Sequence, residues 1–302
     1  MVQENIFEGI IPPISTIFDE NKNFDEGGMA KLIDQLIESG VNGLLVLGSG
    51  GEFSQMSFTM RQEVAKFSIS YVNGRVPVLI GTGSNSTEES ILLSKHAQDN
   101  GADGIVVVNP YYWALSKADL LKHYKEIADS TELPIILYNF PDLTGQDLSP
   151  DLVLELVNEN ENIVGIKETV DSIGHVSEMI TKVKAKYSNF KVFAGLDNHL
   201  LNTLQMGGDG AIPSSANFAP EVTINILKAY FEKDFETIIQ MQRKLIHLLE
   251  IYQLGAPLYT SVKQAILTRG LDVSAQVLPP AQMLDEDSKT HLKDILKYTN
   301  LL

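Results

Sequence analysis

The chain has no cysteine. Disulfides, thiolate zinc sites and cysteine nucleophiles are therefore excluded, and a cytoplasmic protein is expected. Long apolar runs are missing too: none reaches about 18 residues, so no membrane span is expected. The opening MVQENIFEGIIPP lacks a basic patch followed by a long apolar run, so no signal peptide is expected. Basic residues are few, 23 Lys and Arg against 39 Asp and Glu, for a formal net charge of −16. Such a charge repels polyanions, so neither nucleic acid nor an anionic membrane is an expected partner. It says little about a small anion, which local positive groups can hold. The histidines His96, His123, His175, His199, His247 and His291 show no HxH or HxxxH spacing, and no metal site is expected. No G-x-G-x-x-G or Walker motif sits at a strand end, and G-x-S-x-G is absent, which argues against a nucleotide-binding sheet and an α/β-hydrolase.

What is present is an alternation of short apolar runs and amphipathic stretches. Apolar residues are 44% and charged residues 21% of the 302, ordinary for a globular protein with a buried core. Strand-like runs lie at 10–18, 43–47, 76–81, 104–109, 135–139, 163–167, 191–194 and 210–212. Several are nearly continuous Val, Ile and Leu, which suits parallel strands covered on both faces. Between them, 25–39 carries Met29, Leu32, Ile33, Leu36 and Ile37 at helical spacing, and 57–72 and 87–100 behave alike. Thr87, followed by Glu88 and Glu89, reads as an N-cap, Asn100-Gly101 as a helix stop, and Ser116, Ser149 and Ser172 as further caps.

Eight runs spaced roughly 25–35 residues apart predict eight βα units and an α/β fold, a (β/α)8 TIM barrel, with an open doubly wound sheet as the competing arrangement. After about residue 219 the strands stop. Helical patterns over 221–230, 235–252, 256–269 and 287–298 give the last barrel helix and a C-terminal helical extension. Residues 1–220 are thus expected to form the barrel core and 221–302 the last helix and extension, as one structural unit.

In such barrels chemistry gathers at the C-terminal ends of the strands. Those ends carry GSGGE at 48–52, Tyr111-Tyr112, Tyr138, Lys167, Gly195 with Asp197, and PSS at 213–215. Lys167 closes the apolar run 163–166, and alternation points it inward. A lysine pointing into a barrel is costly unless it is paired or neutral. A neutral amine attacks a ketone and forms an iminium, an electron sink for C–C bond making or breaking. From position alone, that reading and a rim lysine paired with Glu168 stand level. Tyr138 ends the neighbouring strand, where a phenol can move protons beside an amine; the alternative is a strand aromatic bonded to backbone. Gly48, Ser49, Gly50 and Gly51 form a small-residue turn whose N–H groups suit a carboxylate, or simply a tight βα turn. Asp197 and Ser214 offer polar groups for hydroxyl recognition, or in the case of Asp197 a helix cap.

Taken together, GSGGEFSQM at 48–56, NPYYW at 109–113, LYNFPDLTG at 137–145, VGIKET at 164–169 and AGLDNHLLNTLQMGGDGAIPSS at 194–215 resemble the dihydrodipicolinate synthase and N-acetylneuraminate lyase superfamily over essentially the whole chain. The resemblance implies a pyruvate-dependent class I aldolase without cofactor or metal. Lys167 matches its Schiff-base lysine, Tyr138 its proton-relaying tyrosine, and Ser49 the hydroxyl partner of that tyrosine. Gly50 stands where many members have Thr or Ser, so backbone amides at Gly50 and Gly51 would carry more of the carboxylate binding. Tyr112 matches the tyrosine that reaches into a neighbouring subunit in tetrameric members, and a homotetramer, a dimer of dimers, is implied.

Two departures bear on substrate. The synthase branch has an arginine where this chain has Leu143, and leucine cannot clamp a carboxylate. The lyase branch has an acidic pair where this chain has Asp197-Asn198. The pattern is most similar to the 2-keto-3-deoxy sugar-acid aldolases, which release pyruvate and a short aldehyde. Thr169, Asp197 and Ser214 are then the candidates for the sugar hydroxyls, and Gly195 is a further expected substrate-binding residue. Dihydrodipicolinate synthase, N-acetylneuraminate lyase and a non-catalytic sugar-acid-binding protein are the alternatives.

Overall fold

The computed structural model describes residues 6–302; residues 1–5, part of the segment read for a signal peptide, lie outside it. Strands and helices alternate as β1 (Gly9–Ile10), α1 (Glu26–Glu38), β2 (Leu44–Val46), α2 (Phe58–Val72), β3 (Val78–Gly81), α3 (Thr87–Asp99), β4 (Gly104–Val108) and α4 (Lys117–Ala128). They continue as β5 (Ile135–Asn139), α5 (Pro141–Thr144), α6 (Pro150–Glu159), β6 (Ile163–Glu168), α7 (Ile173–Met179), β7 (Lys191–Ala194), α8 (Leu200–Gln205) and β8 (Gly210–Ala211). The strands make one sheet in the order β1-β8-β7-β6-β5-β4-β3-β2. That is the (β/α)8 barrel pattern expected from the spacing of the apolar runs. No helix among the described residues is long and apolar enough to cross a membrane. The chain clusters into two compact units, one of residues 6–9 and 77–212, the other of 10–76 and 213–302.

In the first unit β3 to β8 pair in parallel, with Val106 opposite Ile136, Leu137 opposite Ile166 and Ile166 opposite Val192. β4 and β5 are buried along their whole length, which is why their sequence is continuously apolar rather than alternating. Ser116, Ser149 and Ser172 cap α4, α6 and α7 as read, Ser116 in a reciprocal capping box with Asp119. The cap of α3 is different. Ser86, extended at φ −108° and ψ 124°, accepts the Glu89 N–H at 3.3 Å. Thr87 is already helical, and its hydroxyl instead meets His123 Nδ1 at 2.8 Å. Asn100 closes that helix and Gly101 follows at φ +84°.

In the second unit Asp25 caps α1, which buries Met29, Leu32, Ile33 and Leu36. The first strand is far shorter than 10–18. Pro12 and Pro13 have no N–H to give a ladder, and beyond β1 a single parallel bridge, Pro13 opposite Leu45 of β2, continues the pairing. Ile14 N–H reaches Leu45 O at 2.9 Å and Ser15 N–H reaches Asn217 Oδ1 at 2.9 Å. After β8 only helices follow: α9 (Pro220–Glu232), α10 (Phe235–Leu248), α11 (Tyr259–Thr268) and α12 (Glu286–Tyr298).

Candidate active site

The first unit brings Lys167 and Tyr138 together. Their strands pair in parallel with Tyr138 directly opposite Lys167 and Asn139 opposite Glu168. Alternation therefore sends Tyr138 and Lys167 to one face and Asn139 and Glu168 to the other. Lys167 is 3% exposed and Tyr138 is 4% exposed. The amine lies over the phenol ring, 4.0 Å from its centroid.

Glu168 is not the partner of Lys167. Its carboxylate, fully buried, lies 3.2 Å from His175 Nδ1 and accepts from Asn139 Nδ2 at 3.1 Å. The other ring nitrogen of His175 is 3.2 Å from Asp147, and Asn139 Nδ2 donates to Asp147 as well, at 2.8 Å. The carboxylates of Asp147 and Glu168 push His175 up to about 10. Burial lifts the Glu168 carboxyl above the usual carboxylate range, against the pull of His175. No group of three or more His, Asp or Glu among the described residues is arranged to hold a metal.

Beyond the strand ends, Thr169 N–H donates to Asn139 O at 2.8 Å and Gly195 N–H to Glu168 O at 2.6 Å. Thr169 is buried with its hydroxyl unpartnered. It packs against Gly195, where a Cβ would fall on that hydroxyl. Asp197 is buried as the first residue of the turn Asp197–His199, whose N-cap position is Leu196, while that of α8 is His199. Tyr112 is set apart from this group. It is 79% exposed and edge-on to Trp113, beside an open cleft of about 360 Å³ that Asn85, Thr87 and His123 also line. Leu143, on α5, is exposed.

The second unit holds Ser49, Gly50, Gly51 and Ser214. Ser49–Gly51 is a 3-10 turn that follows β2. Thr16 Oγ1 donates to Gly51 O at 2.8 Å and fixes its lower side. A Cβ on Gly50 would meet Pro13 O at 3.6 Å and Ser214 Oγ at 3.8 Å, ordinary contacts, so Gly50 lies beside Ser214 with room to spare. Asn217 ties the Ser214 turn down by donating to Ser214 O and Pro13 O. A feature not anticipated from the sequence follows the turn. Glu52, fully buried, is ion-paired with Lys263, also fully buried, on α11. Its one trace in the sequence is a lysine inside YTSVKQAI, a helical stretch buried from Tyr259 to Ile266.

An eight-stranded α/β barrel that buries an amine over a tyrosine at adjacent strand ends defines the class of the protein. The chain belongs to the dihydrodipicolinate synthetase family, whose model matches residues 6–299. It is 50% identical over 301 residues, all of both chains, to a protein named "Putative 2-dehydro-3-deoxy-D-gluconate aldolase YagE" from Escherichia coli strain K12. It is 48% identical, over 98% of each chain, to "Probable 2-dehydro-3-deoxy-D-pentonate aldolase YjhH" of the same strain. The crystal structure of YagE in complex with pyruvate matches with a TM-score of 0.97, covering 98% of this chain and 100% of that one. Dihydrodipicolinate synthase from Thermotoga maritima matches at 0.93 with 31% identity, covering 98% and 100%.

Proposed function

We propose that the protein is a class I aldolase that cleaves 2-dehydro-3-deoxy sugar acids to pyruvate and a short aldehyde. The observation that carries the reading is the buried Lys167 amine over the Tyr138 ring. Relatives at 50% and 48% identity named for gluconate- and pentonate-derived substrates support the substrate class. The Lys167 amine attacks the C2 keto carbon, and loss of water gives an iminium. Ser49 and the amides of Gly50 and Gly51 hold the adjacent carboxylate. Tyr138, having given its own proton to the hydroxyl that departs as water, takes the proton from the C4 hydroxyl, and the C3–C4 bond breaks with its electron pair passing into the iminium. The aldehyde leaves, C3 of the enamine is protonated, and water releases pyruvate from Lys167.

Thr169, Asp197 and Ser214 are the groups for the sugar hydroxyls, with Gly195 shaping the space beside Thr169. The exposure of Tyr112 supports a homotetramer in which that side chain meets a neighbouring subunit, and the lack of cysteine fits a cytoplasmic setting. Leu143 leaves no cation for the second carboxylate that the synthase reaction needs.

Borohydride reduction in the presence of pyruvate tests the reading. Intact mass is expected to rise by one reduced pyruvyl group, and peptide mapping to place it on Lys167. Lys167→Arg is expected to lose both the adduct and turnover of 2-keto-3-deoxy acids. No adduct at Lys167, or full turnover in the arginine variant, rules the mechanism out.

A further inference from the structure

Glu52 occupies an unusual backbone position for its type. It follows Gly51 directly with φ 63°, in the left-handed region where a glycine would sit without strain. An observed outlier of this kind points to a demand on the side chain. That side chain is fully buried and makes two contacts: an ion pair with Lys263, and acceptance by Oε2 of the Leu278 N–H at 2.7 Å. Lys263 donates in turn to Gln276 O at 2.7 Å and lies 4.3 Å from the centroid of the Phe18 ring. One carboxylate thus fastens the residue after the Ser49–Gly51 turn both to α11 and to the segment that leaves it.

Stability alone does not account for the pair. Burial pushes the Lys263 amine down to about 8 and lifts the Glu52 carboxyl, so for each group desolvation outweighs the partner's attraction. Replacing such a pair with uncharged groups of similar shape is often neutral for folding, whereas removing one partner strands the other charge. What the pair does supply is a fixed direction for the chain that carries the turn. Thr16 restrains that turn at Gly51 O, and Glu52 restrains it one residue later.

We propose that Glu52 and Lys263 are positioning residues for substrate carboxylate binding, holding the amides of the Ser49–Gly51 turn in the geometry that receives the anion. The role rests on the aldolase reading above. Neither residue touches substrate; both act through the turn.

The test compares two ketones in borohydride trapping at Lys167: pyruvate, and acetone, which lacks the carboxylate. In Glu52→Gln/Lys263→Met, which removes both charges together, thermal unfolding is expected to stay cooperative. The ratio of trapping rates, pyruvate over acetone at equal low concentration, is expected to fall tenfold or more. Trapping at saturating pyruvate is expected to be retained. A purely structural pair would move both ketones alike and leave the ratio unchanged, which overturns the proposal. If the double variant does not fold, Lys263→Arg carries the same test, because it keeps the charge while a planar guanidinium cannot take the ammonium's place; the ratio again falls, or the proposal fails. Wild-type protein that traps neither ketone refutes the aldolase reading itself and removes this role with it. Wild-type trapping of both with an unchanged variant ratio refutes the positioning role alone.

Discussion

At Gly195 the chain leaving β7 runs so close to Thr169 that an added Cβ would lie on the threonine hydroxyl and 2.8 Å from its Cβ. Thr169 is among the groups proposed above for the sugar end. Gly195→Ala must push Thr169 aside, and overpacking of this kind costs about 1–3 kcal/mol. The expected outcome is a lower unfolding midpoint and at least a tenfold loss of kcat/KM for 2-keto-3-deoxy acids, with pyruvate trapping at Lys167 retained. Equal loss of trapping would show that Thr169 does not belong to the sugar end. Residues differ in how legible they are from sequence. Lys167 stands out as a candidate because a lysine at the end of an apolar strand violates the expected pattern, but position alone leaves it level with a rim lysine and the resemblance decides between them. The destination of Glu168 could not, because its partners His175 and Asn139 come from other elements. Glu52 and Lys263 are 211 positions apart, and nothing local announces their meeting.

Between elements, His175 is the clasp. It reaches from α7 to Glu168 at the end of β6 and to Asp147 in the loop before α6, while Asn139 at the end of β5 joins both carboxylates. The folded imidazole holds its proton up to about 10, against an unfolded value near 6.5. A raised cation contributes stability that is complete below the unfolded value and is lost as pH rises through the folded one. The stability gap between wild type and His175→Gln is therefore expected to be largest near pH 6 and to close between about 6.5 and 10, by no more than about 1.4 kcal/mol per pH unit. Urea unfolding at stepped pH measures it, and a gap independent of pH would mean that the clasp is uncharged. Elements were legible to the extent that local rules decide them. Ser116, Ser149 and Ser172 cap where the pattern places them. The α3 cap slips by one residue because the hydroxyl of Thr87 is taken by His123, a contact invisible along the chain. The first strand shrinks because Pro12-Pro13 give no N–H and Asn217 takes that of Ser15.

For the whole molecule, the eight-unit pattern is legible because strands buried on both faces must be apolar throughout, whereas closure rather than an open sheet leaves no mark in periodicity. Net charge is the other whole-molecule property written in composition, and it has a kinetic consequence. A protein of charge −16 repels an anionic substrate such as the keto acid proposed above. Any attraction comes from a few local cations and amides, while the repulsion is summed over the surface. Long-range repulsion is screened with a Debye length of about 30 Å at 0.01 M salt and about 8 Å at 0.15 M, but a contact between a carboxylate and backbone amides is hardly screened. Raising sodium chloride across that range should therefore lower the pyruvate concentration for half-maximal trapping, by a few-fold, while leaving trapping of neutral acetone unchanged. A half-saturation that rises with salt would mean that local positive charge governs approach. In that case the acidic surface is electrostatically remote from the site.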